Sequence, residues 1–331
     1  MLLLMKLCSL IIALVVSAAS HTLHAADSPK PVGTHGVVGT LENPKTVNRL
    51  EITKPGVYEN YLVDAQGNGG NIVKITADGV TVRNCEIRNA TGNGIGVFGT
   101  HVVIENCRIH HLLKSNFKQQ DDAHGITGHW GDVTIRNCDI SHVSGDCIQF
   151  DPDRASRGSV LIEDCHLWTG PLPADALDFK AGERPGENAV DTKTKPDGER
   201  CKLTIRNCYM HGFNQPAQIS TIAALNIKEH VDAEVRHCVF ADCEVAFRVR
   251  GPGSRGGAHV RITDCAVYDT QVGVRAEDKI EQLNISRLAF GPGVRARMER
   301  HNGKDLPGFE NTGERDAPPM ESLLKTGFPA Q

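Results

Sequence analysis

Acidic and basic side chains recur at matched positions in the middle of this 331-residue chain. They fall in short segments in which apolar residues alternate with polar ones, as at Ile148 and Phe150 or at Leu225 and Ile227. If these segments stack as strands, their polar residues form two outward columns. The first column reads Phe98, His129, Asp151, Lys180 or Lys193, Lys228, Arg250 and Glu277. The second column reads Gly96, Thr127, Gln149, Asp178 or Asp191, Asn226, Arg248 and Arg275.

These columns place carboxylates beside lysines and arginines, which suits chemistry on an acidic substrate. Arginine binds a carboxylate as a planar fork, and lysine acts as a general base when burial or neighbours depress its pKa. The candidates for binding an anionic substrate are His129, Lys180, Lys193, Arg250 and Arg275. Alternatively, outward strand positions are polar in any case and neighbouring opposite charges merely offset each other. The concentration of acids and bases on the central segments, next to the longest loops, favours a site.

A repeated eight-residue phrase organises the elements that position these columns. The phrase VTIRNCDI at residues 133–140 recurs with the same apolar, polar and cysteine positions. Copies begin at Val80, Val102, Val160, Leu203, Ala233 and Val260, and a degenerate copy begins at Leu283. Such self-similarity predicts a solenoid whose coils bury one face against the next. The alternation of apolar residues inside each copy indicates strands.

Each copy is followed by a variable loop and a second strand, so the pattern predicts two strands and a sharp Asn-Cys bend per coil. The bend flanked by strands resembles the right-handed parallel β-helix of the pectate-lyase-like superfamily over about residues 70 to 290. The expected fold is all-β: a single-domain right-handed parallel β-helix of about eight or more coils, with long loops on one face. In the longest coil, segments 176–180 and 189–193 compete for the regular strand position. The apolar pattern favours segment 176–180.

The ends of the sequence differ from the repeats. Residues 1–25 contain a short apolar run after Lys6 and before small residues, which predicts a secretory signal peptide and a secreted or periplasmic location. The alternative is a membrane anchor, although the run is shorter than a span needs. We expect residues 26–69 to be a lead-in and N-terminal cap, residues 70–290 the β-helix, and residues 291–331 an irregular C-terminal tail.

Seven cysteines occupy the same position of the phrase. They are Cys85, Cys107, Cys138, Cys165, Cys208, Cys238 and Cys265. The shared position predicts an inward-facing ladder of small hydrophobic thiols. Disulfides remain the alternative, because many cysteines in an exported protein usually indicate them.

One stretch resembles a more specific group of proteins. Ile227, Lys228 and the segment 246–248 (Ala-Phe-Arg) resemble the strand pair that carries the catalytic residues in polysaccharide lyases of the chondroitinase B and alginate lyase type. The resemblance implies that Lys228 removes the proton alpha to a uronic acid carboxylate and that Arg248 assists at the leaving glycosidic oxygen. The family also binds calcium through glutamates upstream of the lysine, and residues 220–225 lack them. A calcium ion would therefore need Asp151, Asp178, Glu187 or Asp191, which carry the oxygen ligands that this cation prefers.

Two other functions stay open. Residues 145–151 (GDCIQFD) resemble part of the Asp-Asp-Cys motif of polygalacturonases, which would make Asp146 and Asp151 a hydrolytic pair, but Gly145 replaces the first aspartate. The third possibility is a β-helix that only binds glycans or builds a surface layer. The net charge of −4 and the absence of a basic run give no reason to expect a nucleic-acid partner. The expected partner is an acidic polysaccharide, bound by a monomer without a stable membrane span.

Overall fold

Three parallel sheets, each running the length of the chain, wind around one apolar core. The computed structural model describes residues 30–150, 158–194, 198–214, 222–250, 257–277, 280–300 and 309–329. Successive strands pass from sheet A to sheet B to sheet C, and each strand pairs in parallel with its counterpart one coil later. This arrangement is a parallel β-helix, and it confirms the predicted all-β solenoid.

The strands are numbered in chain order. Sheet A contains β1 (Lys45–Val47), β4 (Tyr61–Asp64), β7 (Glu86–Ala90), β10 (Arg108–Leu112), β13 (Asp139–Val143), β16 (His166–Trp168), β19 (Tyr209–His211), β22 (Val239–Ala241), β25 (Ala266–Tyr268), β28 (Leu288–Phe290) and β31 (Glu314–Asp316). Sheet B contains β2 (Leu50–Ile52), β5 (Asn71–Ile75), β8 (Asn93–Val97), β11 (Ile126–Gly128), β14 (Ile148–Phe150), β17 (Asn188–Thr192), β20 (Ala223–Ile227), β23 (Val245–Val249), β26 (Val272–Ala276) and β29 (Ala296–Arg300). Sheet C contains β3 (Gly56–Glu59), β6 (Val80–Arg83), β9 (Val102–Glu105), β12 (Val133–Arg136), β15 (Ser159–Glu163), β18 (Cys201–Arg206), β21 (Val231–Arg236), β24 (His259–Thr263), β27 (Gln282–Ser286) and β30 (Phe309–Asn311). A 3-10 helix covers Phe117–Gln119, and one α-helix, α1, covers Met320–Thr326.

The repeated phrase spans two sheets, so each regular coil has three strands where the sequence pattern predicted two. The first half of the phrase at 133–140 is β12, and the second half begins β13. Between them Asn137 has φ 51°, in the left-handed region that asparagine tolerates better than most residues. Its Nδ2 donates to Oδ1 of Asn106, at the same bend one coil earlier, at 2.7 Å. The bend therefore turns the chain and bonds neighbouring coils.

The seven cysteines of the phrase form the predicted ladder. All are buried in the main core cluster, and the ten described cysteines are free thiols. Each ladder thiol lies near the carbonyl oxygen of the residue two positions before it, as Cys138 Sγ does with Arg136 O at 3.3 Å. These thiols therefore act as small core side chains at the inside of each bend.

The coils extend beyond both boundaries expected from the sequence. Before residue 70, β1 pairs with β4 and β2 pairs with β5, and after residue 290 strands β29, β30 and β31 extend the three sheets. Residues 30–43 form an N-terminal strap along the bends, where Gly33 N–H donates to Asn207 O and Gly39 N–H donates to Asn106 O. The predicted signal peptide at 1–25 lies outside the described residues. No helix in the described part of the chain is long and apolar enough to cross a membrane.

The choice between the two rival segments of the longest coil was wrong. Segment 189–193 supplies the sheet B strand β17, whereas Ala176 and Phe179 form an isolated bridge inside a loop. Phe179 packs against Leu113 and Leu172 in a separate apolar cluster. Asn188 holds β17 in the sheet through its side chain, as described below. Both segments alternate suitably, and tertiary contacts decide between them.

Candidate functional site

The outward face of sheet B, called the groove below, is half covered: Gln149, Asp191, Asn226 and Arg248 are buried on it, whereas His129, Lys193, Lys228 and Arg250 are partly exposed. Long connections from sheet A to sheet B, at residues 113–125 and 169–187, flank it on one side. The register confirms most of the two predicted columns, with Gln149, Asp191, Asn226 and Arg248 on successive strands of the second. In the first column, the pairing of β20 with β23 brings Lys228 beside Arg250.

Lys228 and Asp191 form the central ion pair of this groove. Both carboxylate oxygens of Asp191 lie 3.0 Å from Lys228 Nζ. Asp191 is only 4% exposed, and burial raises its pKa although the Lys228 charge opposes that shift. The backbone of Lys228 is fixed by Thr192, whose Oγ1 accepts from Lys228 N–H and donates to Lys228 O, both at 2.8 Å. The lysine predicted as a base is therefore held at the edge of a buried carboxylate.

Two further carboxyl groups lie close to this pair. Burial, with the negative charges of Asp191 and Asp122, raises the pKa of Glu187. Asp146 is fully buried, and burial followed by the charges of Asp191 and Glu187 raises its pKa well above the ordinary value. Burial is the first cause of all three raised pKa values, and for Glu187 and Asp146 the neighbouring carboxylates add to it.

Asp146 belongs to a ladder of polar side chains at the entry to sheet B. His124 N–H donates to Asn93 Oδ1 at 2.8 Å, Asp146 N–H donates to His124 Nδ1 at 3.0 Å, and Asn188 Nδ2 donates to Asp146 Oδ1 at 2.7 Å. Asn188 Oδ1 then accepts from Ala223 N–H at 3.1 Å. Burial lowers the pKa of His124 to about 4. These contacts bond consecutive coils, so Asp146 is buried structure here, although Oδ2 of Asp146 has no hydrogen-bond partner among the described residues.

The arginines of the groove are held by glutamates that the sequence analysis did not assign a role. Glu277 accepts from Arg248 Nε through Oε1 at 2.7 Å and from Arg250 Nε through Oε2 at 2.8 Å. These arginines lower the pKa of Glu277 against the effect of its burial. Arg275 Nε donates in the same way to Glu299 on the next strand. A guanidinium carries five N–H donors, so Arg250 and Arg275, each bonded to a glutamate through Nε, are held in an orientation that suits the binding of a substrate carboxylate.

Several predicted site residues lie elsewhere or outside the described chain. Lys180 and Asp178 are exposed in the loop before β17, and Lys180 Nζ pairs with Asp175 at 3.0 Å in that loop. They are therefore not members of the columns, and Lys193 and Asp191 take those places. His129 stays in the first column and meets Phe98 edge to face, with ring centroids 5.2 Å apart. Asp151 lies outside the described residues.

The described residues do not test the expected calcium site, because Asp151, one of its four proposed ligands, lies outside them. Among them, no group of three or more His, Cys, Asp or Glu side chains has the geometry to hold a metal ion. Of the four proposed ligands, Asp178 is exposed in the connection 169–187, and Asp191 is paired with Lys228. The calcium prediction stays a prediction, and no chemical step below depends on it.

The polar ladder was missed from the sequence although a signal exists. Its members stand two positions before the first inward apolar residue of each sheet B strand. Asn71, Asn93, His124, Asp146 and Asn188 precede Val73, Ile95, Ile126, Ile148 and Val190 in this way. The rule does not separate the two segments of the longest coil, because Asp175 stands two positions before Leu177 just as Asn188 stands two positions before Val190.

Comparisons with known proteins agree with this architecture. A family model described as "Right handed beta helix region" matches residues 63–171. Together with the three parallel sheets, this match identifies the chain as a right-handed parallel β-helix, as predicted. No curated protein matches the sequence.

Two solved structures are similar over most of their lengths. The alginate lyase from Paenibacillus sp. str. FPU-7 is 17% identical, with a TM-score of 0.46, and the similarity covers 85% of this chain and 86% of the lyase. The pectate lyase Pel9A is 14% identical, with a TM-score of 0.48, and the similarity covers 87% of this chain and 72% of that enzyme. At these levels of identity neither structure assigns an activity, so the function has to be argued from the groove itself.

Proposed function

We propose that the protein is an exported polysaccharide lyase that cleaves a uronic-acid-containing polymer by β-elimination, with Lys228 as the base and Arg248 assisting. The observation that carries the proposal is the position of Lys228, on the open face of sheet B with Asp191 beneath it and Arg250 one coil away. Lys228 has a proton acceptor at 3.0 Å and arginines on the next strand, an arrangement that offers this reaction a base and a cation for the substrate carboxylate.

Elimination first requires that the substrate carboxylate be neutralised. The proton on the carbon alpha to that carboxylate becomes acidic only when the developing negative charge is stabilised. Arg250, whose side chain is 42% exposed, is placed to bind the carboxylate with the N–H groups that do not face Glu277. Glu277 fixes the orientation of this guanidinium, so little ordering is needed when substrate binds.

Lys228 must then lose its own proton to act as a base. Asp191 offers the nearest acceptor, 3.0 Å from Nζ, and its pKa is already raised by burial. Transfer within the pair changes no net charge, and it becomes easier when bound substrate removes water from the groove. The neutral amine takes the C5 proton, the C–H electron pair forms the C4–C5 double bond, and the C4–O bond breaks with its electron pair on the leaving oxygen. That oxygen takes up the proton held by Asp191, directly or through water, which restores the Lys228–Asp191 ion pair.

Arg248 supports the final bond cleavage. Arg248 lies on the strand next to that of Lys228 and is its diagonal neighbour, because Arg248 pairs with Asn226, two residues before Lys228. Its side chain is 10% exposed and fixed by Glu277, so its positive charge is directed at the groove from a poorly hydrated position. There it stabilises the negative charge that develops on the leaving glycosidic oxygen.

Polygalacturonase-like hydrolysis has less support, since Asp146, one of its two acids, is fully buried and bonded to Asn188. The test is incubation with alginate and with polygalacturonate while the ultraviolet absorbance of a conjugated double bond is followed. Lys228→Ala should abolish the signal, whereas Lys202→Ala, at an exposed lysine on sheet C, should retain it. New reducing ends without absorbance would indicate a hydrolase, and polymer binding without any product would indicate a binding protein.

A further inference from the structure

Phe98 is a large apolar side chain exposed on the floor of the groove. It follows β8 directly and is 37% exposed. Its position pairs with His129, since Val97 pairs with Gly128, and the two rings meet edge to face at 88°. Phe98 and His129 therefore begin the same column that later contains Lys193 and Lys228.

The floor around Phe98 carries a lysine beside the aromatic ring. The neighbouring column there consists of Lys74, Gly96 and Thr127 on consecutive strands, and Lys74 is partly exposed. The Asn71 side chain fills the space over Gly96, since a Cβ there would lie 2.6 Å from it. An exposed aromatic ring suits the apolar C–H face of a pyranose, and a lysine one strand away suits the carboxylate of a uronic acid.

The spacing of the coils relates this end of the groove to the proposed catalytic residues. In the neighbouring column the register passes from Gly96 through Thr127, Gln149 and Asp191 to Asn226, which makes four steps. Phe98 stands two residues after Gly96, and Lys228 stands two residues after Asn226. Four steps at the usual distance between strands amount to about 19 Å along the helix axis. A pyranose unit in an extended chain advances by roughly one such step, so about four sugar units separate the two places.

We infer that Phe98 and His129 form a distal subsite that binds one sugar of the polysaccharide about four units from the bond cleaved at Lys228. The ligand of this subsite rests on the proposed function above. A polymer lying along the groove contacts both places at once, whereas a trimer at the catalytic residues cannot reach Phe98. The protein therefore prefers long chains to short ones, and Phe98 contributes to that preference.

The experiment compares Phe98→Ala and Phe98→Trp with wild type on the polymer and on a trimer of the same uronic acid, using alginate and polygalacturonate. The ratio of kcat/KM for polymer to that for trimer should fall about 2- to 12-fold in Phe98→Ala, the range expected for one aromatic contact. Phe98→Trp, which keeps an aromatic ring, should keep this ratio close to the wild-type value. Val57→Ala, at an exposed valine on sheet C, serves as the matched control. An unaltered ratio in Phe98→Ala would overturn the inference.

Affinity separates this inference from the proposed reaction. In a Lys228→Ala background, which should not turn over substrate, titration calorimetry with polymer should show 2- to 12-fold weaker binding after Phe98→Ala is added. Weaker binding together with no double bond from wild-type protein would refute the lyase and keep the subsite. Equal binding together with a double bond from wild type would refute the subsite and keep the lyase.

Discussion

The Lys228–Asp191 pair gives the sharpest test of the groove's electrostatics. Asp191→Asn keeps the size of the side chain but removes the charge that faces Lys228 Nζ at 3.0 Å. Removing one partner of a buried pair usually costs about 3 to 5 kcal/mol of the free energy of unfolding. The Lys228 side chain is 16% exposed, so its ammonium regains some hydration, and we expect a loss of about 2 kcal/mol.

The opposite substitution should behave differently with pH. Lys228→Met leaves the buried Asp191 carboxylate unpaired, and the folded protein can relieve that cost only by binding a proton. The pKa of Asp191 in the folded state is already raised and should rise further in this variant. At pH values above the ordinary aspartate pKa, the folded state therefore binds more protons than the unfolded state. The free energy of unfolding should therefore fall as pH rises through the folded pKa, and the deficit relative to wild type should be larger at pH 7 than at pH 5.

A double-mutant cycle measured by urea unfolding at pH 7 gives the coupling itself. We expect Asp191→Asn and Lys228→Met to be coupled by at least about 1.5 kcal/mol. The exposed pair Lys180–Asp175 has the same 3.0 Å separation, with side chains 67% and 61% exposed, and should show much weaker coupling because water screens its charges. Single losses at Asp191 and Lys228 that add to within about 0.5 kcal/mol of the double loss would refute the buried pair.

Three other predictions test the ladder, the arginine and the bend. Asp146→Asn removes a buried carboxyl group of raised pKa, so its free energy of unfolding in urea should fall less between pH 4 and pH 7 than that of wild type. An equal fall in the two proteins would contradict a raised pKa for Asp146. Arg248→Lys loses the planar guanidinium held by Glu277 and should lower kcat/KM on the cleaved polymer roughly 10- to 100-fold. The control Arg261→Lys, on sheet C, should change kcat/KM little. Equal values for the two variants would exclude Arg248 from the reaction. Asn137→Ala should lower the free energy of unfolding by about 1 kcal/mol more than Asn137→Gly does, measured by thermal or urea unfolding. Both variants lose the side-chain hydrogen bonds, but only glycine accepts φ 51° freely. An alanine variant as stable as the glycine variant would contradict a strained bend.

The fold was predictable because one phrase repeats its chemistry at every coil. Alternating apolar residues and a bend residue suited to positive φ recur together, so local preference and global register agree. The phrase was nevertheless assigned one strand too few, because the bend predicted at Asn137 and Cys138 was placed inside one strand. The buried positions are Val133 and Ile135 before the bend and Cys138 and Ile140 after it, so the alternation shifts by one residue there. That shift marks the boundary between two strands that belong to different sheets.

The site was predictable only where the register was certain. Lys228, Arg248 and Arg250 follow regular strands, and the structure places them together. Segments Asp178-Phe-Lys180 and Asp191-Thr-Lys193 carry the same acid and base two residues apart, so periodicity could not separate them. Asn188 bonding and Phe179 packing decide the outcome, and both are contacts between distant parts of the chain.

The N-terminal strap ties the beginning of the described chain to its end. Val32 N–H donates to Leu323 O in α1, and a Cβ at Gly327 would overlap the carbonyl oxygen of Lys30. Each coil pairs with the one before it, so coils can stack in the order of their synthesis. The strap, in contrast, reaches all its contacts only after α1 has formed. The contact between the strap and the asparagine bends is therefore the last to form, and its loss would expose the bends while leaving the coils stacked.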